Sequence, residues 1–379
     1  MAPHKILFVI TGLGAGGAEM MLWKLLSRLD RQLFSAEVIS LTGIDSLAQK
    51  YAEIDIPVDF LRMERGGVNL GEMARLVRIV RAKQPDLIQT WMYHADFLGG
   101  LSALFAGRIP LIWNLRNSNL DPQTSKKSSI TVARLCAKLS RYLPRKIVCC
   151  SKVAENIHAQ LGYDRSKMVY IPNGFDLSAF RPSPEFRHKF CRENNIPETS
   201  IIIGYAARFD PQKDHRGFIQ AAAKVRETCP QAVFVLCGDE TGGDNPELRR
   251  CIEERHLLEA FRLLGRRQDM PAITPAFDIA VSASAYGEAF SNAIGEAMAC
   301  AVPCVVTEVG DSALIVGTTG RVVPPRDPQS LAAALQDLIE LTPKQRKQLG
   351  SLARHRIDQE FSLDRVVTKY QDLYTTVLG

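Results

Sequence analysis

The sequence predicts an α/β protein with two domains, each built on a parallel sheet with crossover helices. A length of 379 residues favours two domains, because single cores rarely grow beyond about 250 to 300 residues. Short β-rich runs alternate with helical segments, which is typical of parallel sheets. A proline and an Asn-Gly pair at residues 172–174 interrupt this alternation, which then starts again.

Twelve β-rich runs define the two series. The first six are residues 5–11, 36–41, 86–91, 110–115, 146–150 and 168–171, and the other six are residues 200–205, 232–237, 261–264, 279–282, 302–307 and 320–323. They predict a first domain over residues 1–172 and a second over residues 173–355. Residues 356–379 are expected to form a helix that packs back on the first domain. Such sheets bind ligands beyond the carboxyl ends of their strands, so we expect the active site in a cleft between the domains.

The composition predicts a cytoplasmic protein without a metal site. The nine cysteines are odd in number and lie mostly in apolar runs without a Cys-x-x-Cys pair, which is typical of reduced thiols. Cys300 and Cys304 have helical spacing, but Pro303 lies between them and no further ligand completes a zinc set. No run reaches the roughly 18 apolar residues of a transmembrane helix.

Positive charge is concentrated in the first half of the chain. Residues 1–172 carry 23 Lys and Arg against 14 Asp and Glu, whereas the remaining residues carry 24 against 27. The segment 126–152 holds eight basic residues and no acid, and residues 130–143 have helical spacing. Nucleic acid is not expected as a partner, because no aromatic platform accompanies the charges.

A basic amphipathic helix favours anionic lipid, and an ordinary solvated helix is the alternative interpretation. The segment therefore predicts a peripheral contact with the inner face of the cytoplasmic membrane. The residues expected on this membrane or acceptor surface are Lys126, Lys127, Arg134, Lys138 and Arg141.

A glycine-rich loop follows the first predicted strand and precedes a helix. Gly12, Gly14 and Gly17 match the G-x-G-x-x-G pattern of dinucleotide-binding enzymes. That pattern also requires an acid after the second strand, where residues 41–43 are Leu-Thr-Gly. A nicotinamide cofactor is thereby disfavoured. A helix start that approaches an anionic group remains, with a ligand-free turn as the alternative.

Two charged constellations follow predicted strands of the second domain. Arg208 and Lys213 come directly after the strand 200–205, where a pair of cations suits a diphosphate. Glu288 and Glu296 are separated by seven residues, the first in a loop and the second in the first turns of a helix. Taken alone, these could be a solvated loop and a structural pair of acids.

Together these motifs resemble the family-4 GT-B retaining glycosyltransferases, where they occur in the same order. The resemblance rests on the E-x7-E spacing of Glu288 and Glu296, on Arg208 with Lys213, on residues 171–176 (Ile-Pro-Asn-Gly-Phe-Asp), on residues 16–19 (Gly-Gly-Ala-Glu) and on residues 307–325. It covers nearly the whole chain. It implies a GT-B fold, in which two Rossmann-like domains face each other across a cleft.

The resemblance also implies roles for the matched residues of the second domain. Arg208 and Lys213 would hold the donor diphosphate and supply the countercharge that a metal ion provides elsewhere. Glu288 would contact the hydroxyls of the donor sugar, and Glu296 would bind the ribose. The remaining donor contacts implied in this segment are Phe290, Ser291 and Asn292.

Further contacts are implied on both sides of the expected cleft. The main chain around Arg266 and Gln268 resembles the nucleobase pocket of the family. Gly16 and Gly17 would approach the diphosphate and the acceptor from the first domain.

One position departs from the family pattern. Many members place a histidine after the strand that here covers residues 110–115, and this chain has Arg116 instead. A guanidinium can donate to a sugar hydroxyl or a phosphate but cannot accept a proton. His94, after the preceding strand, is expected as a neighbouring polar contact, with a helix cap as the alternative.

We therefore expect a retaining, metal-independent hexosyltransferase. It would move a sugar from a nucleotide diphosphate donor, expected to be a UDP-sugar, to a lipid-linked or polysaccharide precursor such as that of lipopolysaccharide, without a cofactor. One alternative is an NAD-dependent oxidoreductase or epimerase, which only the first glycine loop favours. The other is an inactive scaffold that binds sugar nucleotides, which Arg116 makes conceivable.

Overall fold

The described residues form two compact units. The computed structural model describes residues 2–14, 16–43, 46–63 and 70–379. One unit comprises Met1–Gly174 with Leu363–Gly379, and the other comprises Phe175–Ser362. The sequence places these boundaries at residues 172 and 355 instead. In the structure, the chain returns to the first unit after Ser362, directly beyond the end of a long helix at Phe361.

The first unit is built on a sheet of seven parallel strands in the order β3-β2-β1-β4-β5-β6-β7. The strands are β1 (His4–Ile10), β2 (Phe34–Ser40), β3 (Val58–Phe60), β4 (Leu87–Trp91), β5 (Leu111–Leu115), β6 (Lys146–Cys149) and β7 (Met168–Tyr170). The helices in the first stretch of this unit, up to Gly174, are α1 (Gly17–Ser27), α2 (Ala48–Ala52), α3 (Leu70–Lys83), α4 (Tyr93–Phe105), α5 (Lys127–Leu139) and α6 (Lys152–Leu161).

The second unit repeats this architecture with six parallel strands in the order β10-β9-β8-β11-β12-β13. The strands are β8 (Ile201–Ala206), β9 (Ala232–Cys237), β10 (Phe261–Leu263), β11 (Ile279–Ser282), β12 (Cys304–Thr307) and β13 (Arg321–Val323). The helices are α7 (Pro184–Glu193), α8 (His215–Thr228), α9 (Pro246–Glu253), α10 (Met270–Ile273), α11 (Asn292–Ala299), α12 (Ser312–Val316), α13 (Pro328–Glu340) and α14 (Pro343–Phe361).

Both sheets are buried on their two faces. In β1, Ile6 and Phe8 pack into one apolar cluster, whereas Leu7 and Val9 pack into another on the opposite face. This division follows from the period of two in a strand. A near-continuous apolar run is therefore the pattern of a parallel strand covered by helices.

The last helix, α15 (Leu363–Leu378), belongs to the first unit. The Tyr374 hydroxyl donates to Gln89 Oε1 at 2.5 Å, and Asn114 Nδ2 donates to the Tyr370 hydroxyl at 3.0 Å. Both partners lie on buried strands of the first sheet. These bonds and the apolar face of α15 attach the end of the chain to that sheet.

The twelve expected strands are present, and the structure adds β3, which the sequence analysis missed. β3 has only three residues, none of them buried, so its apolar pattern is too short to stand out. The run 302–307 begins two residues late, at Cys304, because Pro303 has no N–H to donate to a ladder. All nine cysteines are buried and unpaired. Among the described residues, no helix is both long and apolar enough to cross a bilayer.

Candidate active site

The loops that follow β8 and β11 bring the two central charges of the second unit together. Lys213 Nζ forms an ion pair with Glu288 Oε2, and the two side chains are 17% and 12% exposed. Ser284 Oγ donates to the same carboxylate oxygen at 3.0 Å. The residues that the sequence analysis assigned to the diphosphate and to the donor sugar are thus direct neighbours.

The loop that carries Lys213 is held by Tyr205, whose ring in turn stacks on His215. It forms a short 3-10 turn, Pro211–Lys213, and the Tyr205 hydroxyl donates to the Lys213 carbonyl oxygen. The His215 ring stacks on Tyr205 with 4.9 Å between the ring centroids. Burial lowers the pKa of His215 to about 4, so its ring is neutral at pH 7. Tyr205 and Ser284 are contacts that the sequence analysis missed, since nothing in their spacing points to these partners.

Arg208 lies in the same loop but is more open to solvent. Its side chain is 55% exposed, and its Nε lies 3.2 Å from Asp210 Oδ2. A second bond joins Arg208 Nη2 to Gln212 Oε1 at 3.2 Å. These partners orient the guanidinium, and its exposure leaves it accessible to an anionic ligand.

Gly310 brings the loop after β12 onto the main chain of Glu288. Its φ of 61° lies in the left-handed region that favours glycine. A Cβ at this position would lie 1.9 Å from the Glu288 carbonyl oxygen, so no side chain fits. Asp311 N donates to the Ala289 carbonyl oxygen at 3.0 Å. The path of the main chain at Glu288 therefore depends on this neighbouring loop.

The segment between the two glutamates anchors itself in the core and then begins a helix. Phe290 is buried and stacks on Phe175 at 6.1 Å. Ser291 is buried and precedes α11, which begins at Asn292, and the partly buried Glu296 lies one turn further along. Phe290 is thus a core side chain, whereas Asn292 and Glu296 lie in the first two turns of the helix.

The expected nucleobase segment follows β10. Arg266 and Gln268 are exposed, and Arg266 Nε lies 3.4 Å from Asp239 Oδ1 in the loop after β9. The main chains of these two loops also meet, because Gly238 N donates to the Gly265 carbonyl oxygen at 2.9 Å. The segment is therefore held next to the neighbouring strand end.

In the first unit, the glycine loop leads into α1 as expected. Gly16 is the N-cap and Gly17 the first helical residue, with the Met20 N–H bonded to the Gly16 carbonyl oxygen at 3.0 Å. Ala15, which belongs to the same motif, lies outside the described residues.

Arg116, which stands where the family pattern has a histidine, is partly buried. Its Nη2 donates to Asn173 Oδ1, and its guanidinium lies 4.8 Å from the centroid of the Trp91 ring. Its Nε and Nη1 are buried without a hydrogen-bond partner among the described residues. Nothing in the sequence indicates this bond to Asn173, which is 57 residues away. The bond leaves only part of the guanidinium able to donate to a ligand.

His94 is the second residue of α4 and is half-buried. Burial lowers the pKa of its imidazole, and the nearby Lys126 ammonium lowers it further. His94 is therefore neutral at pH 7 and retains an acceptor nitrogen. Lys126 is the N-cap residue of α5, at the start of the basic segment.

The basic segment is exposed as expected, but its helix is shorter. α5 ends at Leu139, so Arg141 lies beyond the helix. The prediction that Arg141 continues the helical stripe of Arg134 and Lys138 is therefore wrong. The chain turns after Leu139, whose carbonyl oxygen accepts bonds from the N–H groups of Tyr142 and Leu143 at 3.0 Å each.

Within the described parts of the chain, no cluster of three or more His, Cys, Asp or Glu residues could hold a metal ion.

Both halves of the chain match families of known proteins. Residues 15–179 match Glycosyltransferase Family 4, and residues 200–341 match Glycosyl transferases group 1. A relative from Escherichia coli, UDP-Gal:alpha-D-GlcNAc-diphosphoundecaprenol alpha-1,3-galactosyltransferase, is 25% identical over 315 residues. The match covers 81% of this chain and 79% of the relative.

Solved structures match both units together. The crystal structures of Anabaena Alr3699/HepE in complex with UDP and with UDP-glucose have TM-scores of 0.87 and 0.84. Both are 25% identical to this chain, cover 98% of it and are themselves covered to 100% and 99%. The paired parallel sheets thus have the GT-B architecture that the sequence analysis predicted.

Proposed function

Because this chain belongs to the family-4 glycosyltransferases that use nucleotide sugars, with a group 1 domain in its second half, we propose that it transfers a sugar from a UDP-sugar to a lipid-linked or polysaccharide precursor. The observation that carries this proposal is the contact between Lys213 and Glu288 beyond the strand ends of the second unit. It joins a cation suited to a diphosphate to a carboxylate suited to sugar hydroxyls. Family membership decides against the oxidoreductase alternative.

Donor binding replaces the ion pair between Lys213 and Glu288 with contacts from each residue to the donor. Lys213 turns from Glu288 to the diphosphate, and the freed carboxylate accepts hydrogen bonds from the sugar hydroxyls. Arg208 supplies a second cation, since its guanidinium is exposed and oriented by Asp210. The ribose binds at Glu296, and the nucleobase contacts the main chain around Arg266 and Gln268.

The transfer proceeds with retention at the anomeric carbon. The bond from this carbon to the phosphate oxygen breaks, and the bond to the acceptor oxygen forms on the same face. The departing phosphate oxygen takes the acceptor proton. Lys213 and Arg208 stabilise the negative charge that develops on the diphosphate, which is the role of a metal ion in other transferases. The reaction therefore needs no divalent cation.

The acceptor is a precursor presented at the inner face of the cytoplasmic membrane. The Escherichia coli relative acts, by its name, on a sugar linked to diphosphoundecaprenol, which supports this choice. The exposed cations of the segment 126–152 suit an anionic surface. Arg116 and His94 are proposed as polar contacts for the acceptor.

A thermal-shift panel of nucleotide sugars tests the donor assignment. A UDP-sugar at 100 times its dissociation constant should add about 2.7 kcal/mol to the free energy of unfolding. GDP- and ADP-sugars at the same concentration should add much less. Stabilisation by one of those nucleotides alone would show that the UDP assignment is wrong, and stabilisation by none would overturn the proposed function. Release of UDP on longer incubation would exclude the inactive scaffold.

A further inference from the structure

Arg116 is a partly buried cation whose contacts in the first unit are all with neutral groups. Its Nη2 donates to the side-chain oxygen of Asn173, and its guanidinium lies over the ring of Trp91. None of the ion pairs among the described residues includes Arg116. Its Nε and Nη1 are enclosed without a hydrogen-bond partner there. The enclosed side of this guanidinium therefore has neither a carboxylate nor solvent to compensate its charge.

Other buried or partly buried arginines of this protein have oxygen partners. Arg346 and Arg354 each donate to three main-chain carbonyl oxygens. Within the described part of the chain, Arg116 is the only arginine with enclosed nitrogens that lack a partner. An enclosed cation without a partner destabilises the fold, which indicates that its charge serves a ligand.

The carboxyl group that contacts β5 does not neutralise Arg116. Asp96 Oδ1 accepts hydrogen bonds from Thr90 Oγ1 at 2.5 Å and from the N–H of Asn114, two residues before Arg116, at 3.4 Å. Asp96 is fully buried, and this burial raises its pKa to about 8. The carboxyl group is therefore mostly protonated at pH 7 and carries no charge that could balance the guanidinium.

Neutral groups also orient the guanidinium. The Trp91 ring stacks on Tyr370 of α15 with 6.3 Å between the ring centroids, and the Tyr370 hydroxyl accepts a hydrogen bond from Asn114 Nδ2 at 3.0 Å. Burial raises the pKa of Tyr370, and the guanidinium of Arg116 opposes this rise without reversing it. The phenol is therefore neutral at pH 7. These contacts fix the position of the charge and leave it unbalanced.

Arg116 lies at the edge of the sheet where ligands bind in α/β folds. It is the first residue after β5, and such sheets bind ligands beyond the carboxyl ends of their strands. Its partner Asn173 precedes Gly174, whose N–H contacts the sulfur of Met21 in α1 at 3.3 Å. α1 follows the glycine loop at the same edge of the sheet. The unbalanced charge is thus on the ligand side of the first unit.

We propose that Arg116 binds a phosphate group of the acceptor, which supplies the negative charge that the first unit lacks. A guanidinium suits phosphate oxygens and stays charged at neutral pH. Histidine, which many family members have at this position, is largely neutral at pH 7, so arginine here favours an anionic partner. The inference rests on the proposed function. The Escherichia coli relative supports the choice of phosphate, because its acceptor by its name carries a diphosphate.

Titration calorimetry on protein saturated with UDP tests this assignment. UDP occupies the donor diphosphate site, which the second unit provides through Lys213 and Arg208, so a second phosphate ligand must bind elsewhere. Geranyl diphosphate is the probe, and geraniol, which lacks phosphate, measures the contribution of the prenyl chain alone. Wild-type protein should bind geranyl diphosphate in the presence of UDP and should bind geraniol much more weakly. Equal affinity for the two compounds would contradict recognition of phosphate.

Variants at Arg116 identify the group that binds the phosphate. Arg116→Gln should weaken the binding of geranyl diphosphate about tenfold, which corresponds to about 1.4 kcal/mol. Arg116→Lys should weaken it less, because lysine keeps the charge but lacks the planar fork. Wild-type affinity for geranyl diphosphate in Arg116→Gln would overturn the inference. If Arg116→Gln does not fold, wild-type affinity in Arg116→Lys would overturn it instead.

Arg165→Gln is the matched control. Arg165 Nη2 also donates to an asparagine oxygen, Asn156 Oδ1 at 3.5 Å, but Arg165 is exposed and precedes β7, at the opposite edge of the sheet. This variant should bind geranyl diphosphate as the wild type does. A loss equal to that of Arg116→Gln would show a general effect of positive charge and would contradict a site at Arg116.

The affinity for UDP, measured for each protein, separates this inference from the proposed function. Arg116→Gln should bind UDP as tightly as the wild type, which also shows that the variant is folded. Equal weakening of UDP and geranyl diphosphate would place Arg116 at the donor diphosphate and would contradict the inference. If the wild type binds UDP but not geranyl diphosphate, this inference alone fails. If the wild type binds no nucleotide, the proposed function fails and the inference fails with it.

Discussion

Replacing Glu288 or Lys213 with Ala is expected to lower donor turnover by about 10²- to 10³-fold, the usual effect of removing one preorganised electrostatic contact. Lys213 would no longer stabilise the departing diphosphate, and Glu288 would no longer orient the sugar. Each replacement also leaves the other charge without its ion-pair partner. The stabilisation by Lys213 and the orientation by Glu288 both act on the transition state, so the turnover number should fall more than the affinity for UDP.

Steady-state kinetics with the preferred UDP-sugar provide the measurement. Glu253→Ala is a matched control, because Glu253 forms an exposed ion pair with Arg249 on α9, at 2.7 Å, outside the proposed site. The control should retain wild-type turnover. A folded Glu288→Ala protein with near wild-type turnover would contradict the role assigned to this carboxylate.

Gly310→Ala is expected to reduce turnover about 100-fold without touching any charged residue, because small displacements of reacting groups have effects of this size. The new methyl group would overlap the Glu288 carbonyl oxygen, and alanine is strained at a φ of 61°. The loop after β12 must then move away, and the carbonyl oxygen of Ala289, the residue after Glu288, loses its hydrogen bond from the Asp311 N–H.

Gly243→Ala is the matched control, since a Cβ at Gly243 would have no neighbour within 4 Å. Turnover and thermal unfolding of the two variants should be measured side by side. Wild-type turnover in Gly310→Ala would show that the contact between the two loops does not position Glu288.

The sheets of both units could be predicted because their strands are apolar runs bounded by turn residues. The strands at 232–237 and 279–282 coincide with the expected ranges. Failures occur where the local signal is weak. β3 is short and not buried. The basic residues after Leu139 continue a helical sequence pattern, although the helix itself ends at Leu139.

The candidate site was predicted less completely than the fold. Spacing and resemblance selected Lys213 and Glu288, but the hydrogen bonds from the Tyr205 and Ser284 hydroxyls depend on how each loop turns back after its strand, which the sequence pattern does not indicate. The same limit applies to Arg116. Its residue type predicts a donor to ligands, whereas its bond to Asn173 depends on the tertiary structure.

The most direct test of the proposed chemistry is an NMR time course of UDP-sugar hydrolysis in excess EDTA. Retention predicts that the first sugar released has the anomeric configuration of the donor, before mutarotation mixes the two anomers. Because Arg208 and Lys213 supply the countercharge, the rate should be the same with and without EDTA. Initial release of the opposite anomer would contradict retention. Loss of all activity in EDTA, with recovery on adding magnesium or manganese, would contradict the role given to these two cations.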